Sequence, residues 1–446
     1  MIPSSQPILA RCREADGLWL SSISAVLLLT LLPFSSYIVS LPLIQAEWQM
    51  NNSQAAMVFS SYLLGNAISA LVLVPLTDRL APERVYLGGV LVLTASNLLF
   101  PLLAWDPWVG SLLRVAAGVG HVGAYIPGVQ LVSGRFAGKR HSTVRRGTVR
   151  RGTVRRGTAV GIFVSAGYAG TTISYTFMGL LLNISPTWRT AYFITALVGL
   201  AGLGLAFLLM WGAKPRPDGA ASEPDRSAAT GRKVWINLGV LRNRVILLLI
   251  VAYTLHTAEL YIARLWFPSL LGAELASQGM ASLEATALAA TLSGFMFMMG
   301  IAGVFAGGFL SDHLGRSMGA ALIFSLSGLC SFVAGWLLGG PAFWMIGLGF
   351  VYGFMTAADS AIYSTAATEL APPDRVGSTQ ALQSFIGFAV GAVLPVVAGF
   401  ILDLMPSGAA WGWAFSFNGL LALLGVIALL WLRRLPEATR MAGGRR

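Results

Sequence analysis

Apolar residues run through this chain in long, nearly unbroken blocks rather than as stripes at helical or strand spacing, and short polar clusters separate the blocks. Blocks of roughly 20 residues with few charges predict membrane-spanning helices. Twelve are expected, at 19–42, 55–76, 84–105, 109–133, 158–183, 188–211, 244–271, 287–311, 317–339, 342–366, 377–404 and 411–432. Only Asp106-Pro107 separates spans 3 and 4, and only Gly339–Pro341 separates spans 9 and 10, so both pairs are tight hairpins. The longest connection, 212–243, is rich in Pro, Gly, Ala, Ser and charge. It is too polar to bury a core and reads as a linker. The expected division is an N-terminal six-helix bundle at 1–211, a cytoplasmic linker at 212–243, and a C-terminal six-helix bundle with a short tail at 244–446.

Composition agrees with an all-α, multi-pass membrane protein. The chain is 56% hydrophobic and 11% charged, with mean hydropathy +0.72, against about 25% charged residues in soluble domains. The first span is long, and no small-residue cleavage site follows a short apolar core, so no cleavable signal peptide is expected. Lys and Arg gather on alternate connections, nine in loop 4–5 and seven around loop 6–7. The positive-inside rule then puts both termini in the cytoplasm, with the protein in the cell (inner) membrane. Topology thus explains the net charge of +12, and no nucleic-acid partner is expected. Three copies of Thr-Val-Arg-Arg-Gly stand at Thr143–Gly157 in loop 4–5. The last copy opens span 5, and the other two read as a tandem expansion in a tolerant loop, with four arginines near anionic lipid. The two cysteines, Cys12 and Cys330, are too far apart in the topology to meet. No nucleotide-binding Gly-rich loop ending in Lys-Ser/Thr is present, nor any metal-ligand spacing. No enzyme, cofactor or metal site is therefore expected.

The two halves repeat each other. Asp78 in "VPLTDRLAPER" and Asp312 in "GFLSDHLGRSM" end spans 2 and 8; Gly118 and Gly353 follow 40 and 41 residues later. Spans 5 and 11 open with "RGTAVG" and "VGSTQA", and spans 6 and 12 with "WRTAY" and "WGWAF". Duplicated six-helix halves are a recurring transporter plan. In these features the chain resembles the major facilitator superfamily over all twelve spans. The family signature Gly-x-Leu-x-Asp-Arg-x-Gly-Arg is matched by Gly308, Leu310, Asp312, Gly315 and Arg316; in the first half Asp78 and Arg79 match while Val74 and Ala81 replace glycines. The span-4 pattern Arg-x-x-x-Gly is present as Arg114 and Gly118, whereas the proline of the drug-exporter span-5 pattern is missing from Ser165–Phe177. Ala252–Pro268 and Ala357–Pro373 are similar to the cyanate- and nitrate-transporter-related group. The resemblance implies a cytoplasmic gate at Asp78, Arg79, Asp312 and Arg316, where a carboxylate meets a neighbouring helix N-terminus. It also implies that spans 8 and 11 face the other half, with the pairs Gly303/Gly307 and Gly387/Gly391 spaced for close helix approach.

Charge inside a bilayer is costly and marks candidate function. Six groups stand out: Arg114 and His121 in span 4, His256, Glu259 and Arg264 in span 7, and Asp359 in span 10. Glu259 lies roughly 22 Å along span 7 at 1.5 Å per residue, with His256 three residues earlier on the same face. A buried carboxylate beside a histidine can couple protonation to conformation; the bland alternative is a structural ion pair. Asp359 either switches partners between states or caps a polar spot. Arg114 and Arg264 can grip an anion with the guanidinium fork or snorkel to the headgroups. His121 is a ligand or a hydrogen-bonded core histidine. Tyr37, Asn66, Tyr125, Tyr168, Tyr253, Tyr261 and Trp266 line a cavity or anchor span ends.

The expected function is a secondary transporter that moves a small, anionic organic solute by alternating access. Glu259, His256 and Asp359 would carry proton coupling, and Arg114, Arg264, His121, Tyr37, Tyr125 and Tyr261 would bind the substrate. The alternatives are a proton-antiporting drug or metabolite exporter and a non-transporting receptor or sensor on the same scaffold. The expected partners are the lipid bilayer, the solute and the proton, with the protein a monomeric symporter.

Overall fold

The computed structural model describes residues 16–76, 80–136, 156–185, 187–210, 238–372 and 375–445. Asp78, Arg79, Cys12, the Arg-rich copies up to residue 155 and most of the proposed linker lie outside the described residues. Among the described residues twelve long helical units appear in chain order, with a short helix (Leu41–Trp48) between the first two: α1 (Asp16–Val39), α2 (Asn52–Leu76), α3 (Pro82–Leu103), α4 (Pro107–Phe136), α5 (Arg156–Ile184), α6 (Trp188–Met210), α7 (Arg244–Ser277), α8 (Ser282–Leu314), α9 (Arg316–Ala334), α10 (Ala342–Leu370), α11 (Val376–Leu404) and α12 (Ala410–Arg434). Eleven are long and apolar enough to cross a membrane; α5 is the exception. Its middle carries Ser165, Tyr168, Thr171, Thr172, Ser174, Tyr175 and Thr176, which lower its hydropathy without adding charge.

The repeat seen in the sequence is a repeat of packing. In the first half α2 packs on α4, α3 on α6, and α1 on α5 and α6; in the second α8 packs on α10, α9 on α12, and α7 on α11 and α12. The two bundles meet through α2 with α11 and α5 with α8. Gly118 and Gly353 occupy equivalent places: a Cβ on the first would strike the Tyr62 carbonyl of α2, and on the second the Met296 carbonyl of α8. Gly315, with φ +90°, makes the sharp turn from α8 into α9 that the signature glycine implies.

Two units are broken, and both breaks lie near candidate residues. α1 stops at Leu31 and resumes at Ser36. Pro33 supplies no N–H and cannot continue the ladder, so the chain turns through Leu32–Ser35. α10 stops at Ala358 and resumes at Ser360, leaving Asp359 (φ −92°, ψ −7°) at the break. No proline or glycine adjoins this second break.

Several expectations need correction. α7 continues to Ser277, which brings Glu274 into the helix; it is fully buried and accepts from the Gly339 N–H (2.6 Å) and Gln278 Nε2 (2.8 Å), fixing the α9–α10 hairpin. Spans 8 and 11 do face the other half, while Gly303 and Gly307 make their close approach within their own bundle. They lie on the Phe354 and Ala358 carbonyls of α10. Gly387 lies against Tyr253 and Thr257 of α7, and Gly391 against Thr257 and Tyr261 of α7 and Leu63 of α2 in the other half. Of the glycines on α8, Gly294, against Thr176, and Gly300, against the Tyr168 hydroxyl, meet the other half.

Candidate functional site

The first half builds a site around one buried cation. Arg114 is 1% exposed, so it does not snorkel. α4 presents it to the break in α1, where its Nη1 donates to the Phe34 carbonyl at 3.5 Å, a long bond. Its Nε and Nη2 make no aligned hydrogen bond, although the Tyr192 hydroxyl lies close to the guanidinium. Tyr62 and Tyr37 cover it, their ring centroids 4.7 and 5.4 Å from the guanidinium carbon. Among the described residues no carboxylate lies within ion-pair distance of it. A buried cation with two unaligned donors is costly unless an anion arrives.

The ring contacts continue from there. Tyr62 lies beside His121 (5.8 Å between centroids), His121 beside Tyr125 (6.2 Å), and Tyr125 beside Phe163 (6.4 Å). His121 Nδ1 is buried without a partner, as are the Tyr62 hydroxyl and both amide atoms of Asn66 one turn further along α2. Four of the expected binding residues, Arg114, His121, Tyr37 and Tyr125, are thus brought together. Tyr37 also has a structural bond, donating to the Ala55 carbonyl at 2.8 Å.

Arg264 lies on the seam between halves. It too is buried, at 7% exposure, which removes the snorkelling reading. Its guanidinium carbon stands 5.4 Å from the ring centroid of Tyr168 on α5, its Nε is unpartnered, and Tyr175 of α5 donates to its carbonyl at 3.0 Å. The α1 break links the two arginines, because Ser35 bonds Ser174 and the Thr171 carbonyl of the same α5. Tyr261 is half-buried on the other side of the seam, between Phe59 of α2 and Phe388 of α11. Trp266 is buried, and donates to the Pro395 carbonyl at 3.3 Å.

The second half gathers the acids, but not in the expected pairing. His256 belongs to Asp359 rather than to Glu259. Its Nδ1 is 3.1 Å from Asp359 Oδ1, an ion-pair distance without hydrogen-bond alignment, and its Nε2 is 3.1 Å from Ser360 Oγ. The imidazole therefore bridges the α10 break, stacked on Tyr363 with centroids 5.1 Å apart. Glu259 points elsewhere, into the interior of its own bundle between α7, α9, α10 and α12. Ser327 Oγ donates to its Oε1 at 2.7 Å; Asn418 Nδ2 donates to its carbonyl (3.4 Å) and to the Tyr352 hydroxyl (3.1 Å). Its Oε2 is buried without a partner. Among the described residues no basic side chain lies within ion-pair distance of Glu259, and the Asp359 carboxylate sits beside both His256 and the Tyr363 hydroxyl.

Sequence reasoning missed Tyr62, Ser327, Tyr352 and Asn418. Asn418 carried a visible signal, as an amide in the middle of an otherwise apolar span; serine and tyrosine at helix interfaces carry little.

The gate expected at the signature loop also differs. The Asp312 carboxylate meets the guanidinium of Arg316, the first residue of α9 (2.5 Å), rather than the backbone N–H groups of a helix start. Arg316 continues to Glu369 of α10 (3.1 Å), and Glu369 accepts from the Ala442 N–H of the C-terminal segment (3.0 Å). Arg445 donates to the Asp312 carbonyl. At the other end of the bundle lies a cavity of about 230 Å³ between the halves, lined by Gln45, Asn52, Trp266, Ser269, Thr286 and Trp411 among others.

Comparison with known proteins fits these features. The hexuronate transporter of Bacillus subtilis (strain 168) is 22% identical over 418 residues, covering 89% of each chain. The gentisate transporter of Corynebacterium glutamicum is 30% identical over 87 residues, 20% of this chain and 19% of that one. The crystal structure of the nucleoside transporter NupG superimposes with TM-score 0.70 at 14% identity, over 93% of this chain and 99% of that one. A bacterial homologue of the human lysosomal transporter Spinster gives TM-score 0.67 at 14% identity, over 94% and 97%. These relatives and this fold are those of transporters, not enzymes. The Major Facilitator Superfamily model matches residues 23–316 and again 249–445, and with the duplicated bundles this shows that the chain belongs to the major facilitator superfamily.

Proposed function

We propose that this transporter carries a small organic anion by alternating access, with Arg114 as the anion-binding residue and Glu259 as the proton-holding residue. The observation that supports this best is Arg114 itself: a buried guanidinium whose Nε and Nη2 make no aligned hydrogen bond, held among aromatic rings with no acid beside it. A carboxylate offers two oxygens at the spacing of that fork. Arg264 provides a second cation on the seam. His121, Asn66 and the Tyr62 hydroxyl provide unsatisfied polar groups for the rest of the solute. The relative in Bacillus subtilis makes a hexuronate the first solute to test.

Coupling would come from the second half. Buried carboxylate charge is costly unless paired, and a proton is the one partner that a transport cycle can load and unload. Glu259 offers a free oxygen in a fully buried site, and the His256–Asp359 pair spans the α10 break, where a change in pairing would bend a helix that packs on α7, α8 and α9. In this reading Glu259, His256 and Asp359 form one relay along α7 and α10, with symport of proton and anion. The inner membrane and cytoplasmic termini follow from the arginine-rich loops, the bundle boundaries at 1–211, 212–243 and 244–446 are kept, and the working unit is the monomer.

Uptake of labelled D-glucuronate into liposomes, driven by an inward proton gradient, tests this. Wild type should accumulate the label and lose accumulation when a protonophore is added. Glu259→Gln should fail to accumulate it yet still exchange it. Accumulation by Glu259→Gln equal to wild type would remove Glu259 from coupling.

A further inference from the structure

The carboxylate-to-helix-end contact expected at the signature loops exists at the other end of the molecule, and there it joins the two bundles. Asp403 stands in the last turn of α11. Its Oδ1 accepts from the Asn52 backbone N–H (2.8 Å) and from Asn52 Nδ2 (2.9 Å), and its Oδ2 accepts from the Ser53 N–H (2.9 Å). All three donors belong to the first turn of α2, in the other half. One side chain therefore satisfies N–H groups that a helix start leaves unpaired, and sets its charge at the positive end of the helix dipole.

The backbones also touch beside it. A Cβ on Gly399, one turn earlier in α11, would fall 2.8 Å from the Asn52 carbonyl oxygen and 3.1 Å from Ser53 Cα. Asn52 in turn lines the 230 Å³ cavity between the halves. The pseudo-symmetric corner, where α5 ends and α8 begins, is built differently. There Gly179 lies against the Ala287 carbonyl and the Thr291 hydroxyl, and Thr176 donates to the Thr291 carbonyl (3.2 Å). No charged side chain crosses that corner among the described residues.

We infer that Asp403 is a latch: it closes this end of the transporter by capping α2 from the opposite bundle, and the end opens when α2 slides off it. Asp403 is exposed, so its carboxylate is hydrated when released and the contact is cheap to break and remake. A buried ion pair would not be. The inference rests on the alternating-access reading, but not on the roles given to Arg114 or Glu259.

The test uses paired spin labels on protein lacking Cys12 and Cys330. Labels at the exposed positions Ala46 and Ser407 report this end, and labels at Ala81 and Arg440 report the opposite end. Asp403→Ala should raise the ratio of long to short Ala46–Ser407 distances about tenfold, as for loss of a strong helix cap. Asp403→Asn, which keeps one acceptor oxygen, should raise it less. Gly399→Leu, which wedges the same corner, should raise it without touching the carboxylate, and size-exclusion profiles should match wild type throughout. Lengthening with Gly399→Leu but none with Asp403→Ala would overturn the latch and leave alternating access standing. No movement at either end in any variant, with or without D-glucuronate, would overturn both.

Discussion

The two halves share one packing plan and differ in chemistry, although Arg264 of the second half reaches the seam as a second buried cation. In the first, α4 delivers Arg114 to the break in α1, and aromatic rings close around it with no acid in reach. In the second, α7 and α10 deliver His256, Glu259 and Asp359, and each finds a polar partner inside its own bundle. Duplication supplies the scaffold, shown by Gly118 and Gly353 meeting equivalent carbonyls. The chemistry is not duplicated. A cation left unpaired invites a mobile anion; buried acids that each keep one unpartnered oxygen suit a mobile proton. On the reading proposed above, Arg114 of the first half takes the solute, with Arg264 at the seam, and the second half carries the coupling.

The largest expected effect comes from removing the unpaired cation. Arg114→Gln should lower D-glucuronate uptake (kcat/KM) on the order of 100-fold or more, as for loss of a buried charge partner. Folding should not suffer, because no intramolecular ion pair is lost; a size-exclusion profile and thermal midpoint equal to wild type check this. Arg114→Lys should recover little, since a point charge lacks the fork.

In the second half the order of effects reverses, with stability responding first. Asp359→Ala strands His256 in the α10 break and should destabilise the protein by about 3 kcal/mol, read as a fall in thermal midpoint. The double variant that also carries His256→Phe should regain much of that stability without regaining accumulation. Equal stability loss in Arg114→Gln and Asp359→Ala would erase the contrast between halves.

The scaffold itself should respond alike on both sides. Gly118→Ala and Gly353→Ala each push a Cβ into a backbone carbonyl of the paired helix, at a cost of about 1–3 kcal/mol. Thermal midpoints that fall by similar amounts would confirm equivalent packing. The smallest effect is expected from deleting residues 143–152, two of the three arginine-rich copies: uptake by correctly inserted protein should stay near wild type.

The fold was largely legible because bilayer-spanning blocks and the landmark residues Asp312, Gly118 and Gly353 are written locally. The site was legible only in part. An intramembrane charge announces itself, so Arg114, Arg264, His256, Glu259 and Asp359 could be named from sequence. Their partners could not, since pairing depends on which helix faces which. Helical spacing placed His256 beside Glu259, yet α10 brings Asp359 and Ser360 to the imidazole, while α9 and α12 bring Ser327 and Asn418 to the glutamate. Asp403 was invisible for another reason: a carboxylate near a loop is ordinary until the start of α2 is seen against it.

The division of labour between halves is tested most directly by counting protons taken up as D-glucuronate binds. Purified protein in weakly buffered solution would be titrated with the anion while proton uptake and occupancy are followed together. Wild type should take up protons as the anion binds, up to one per anion, as linkage between the two sites predicts. Glu259→Gln should bind the anion with proton uptake near zero, and Arg114→Gln should neither bind nor take up protons. Wild-type proton uptake in Glu259→Gln, or wild-type binding in Arg114→Gln, would contradict the assignment.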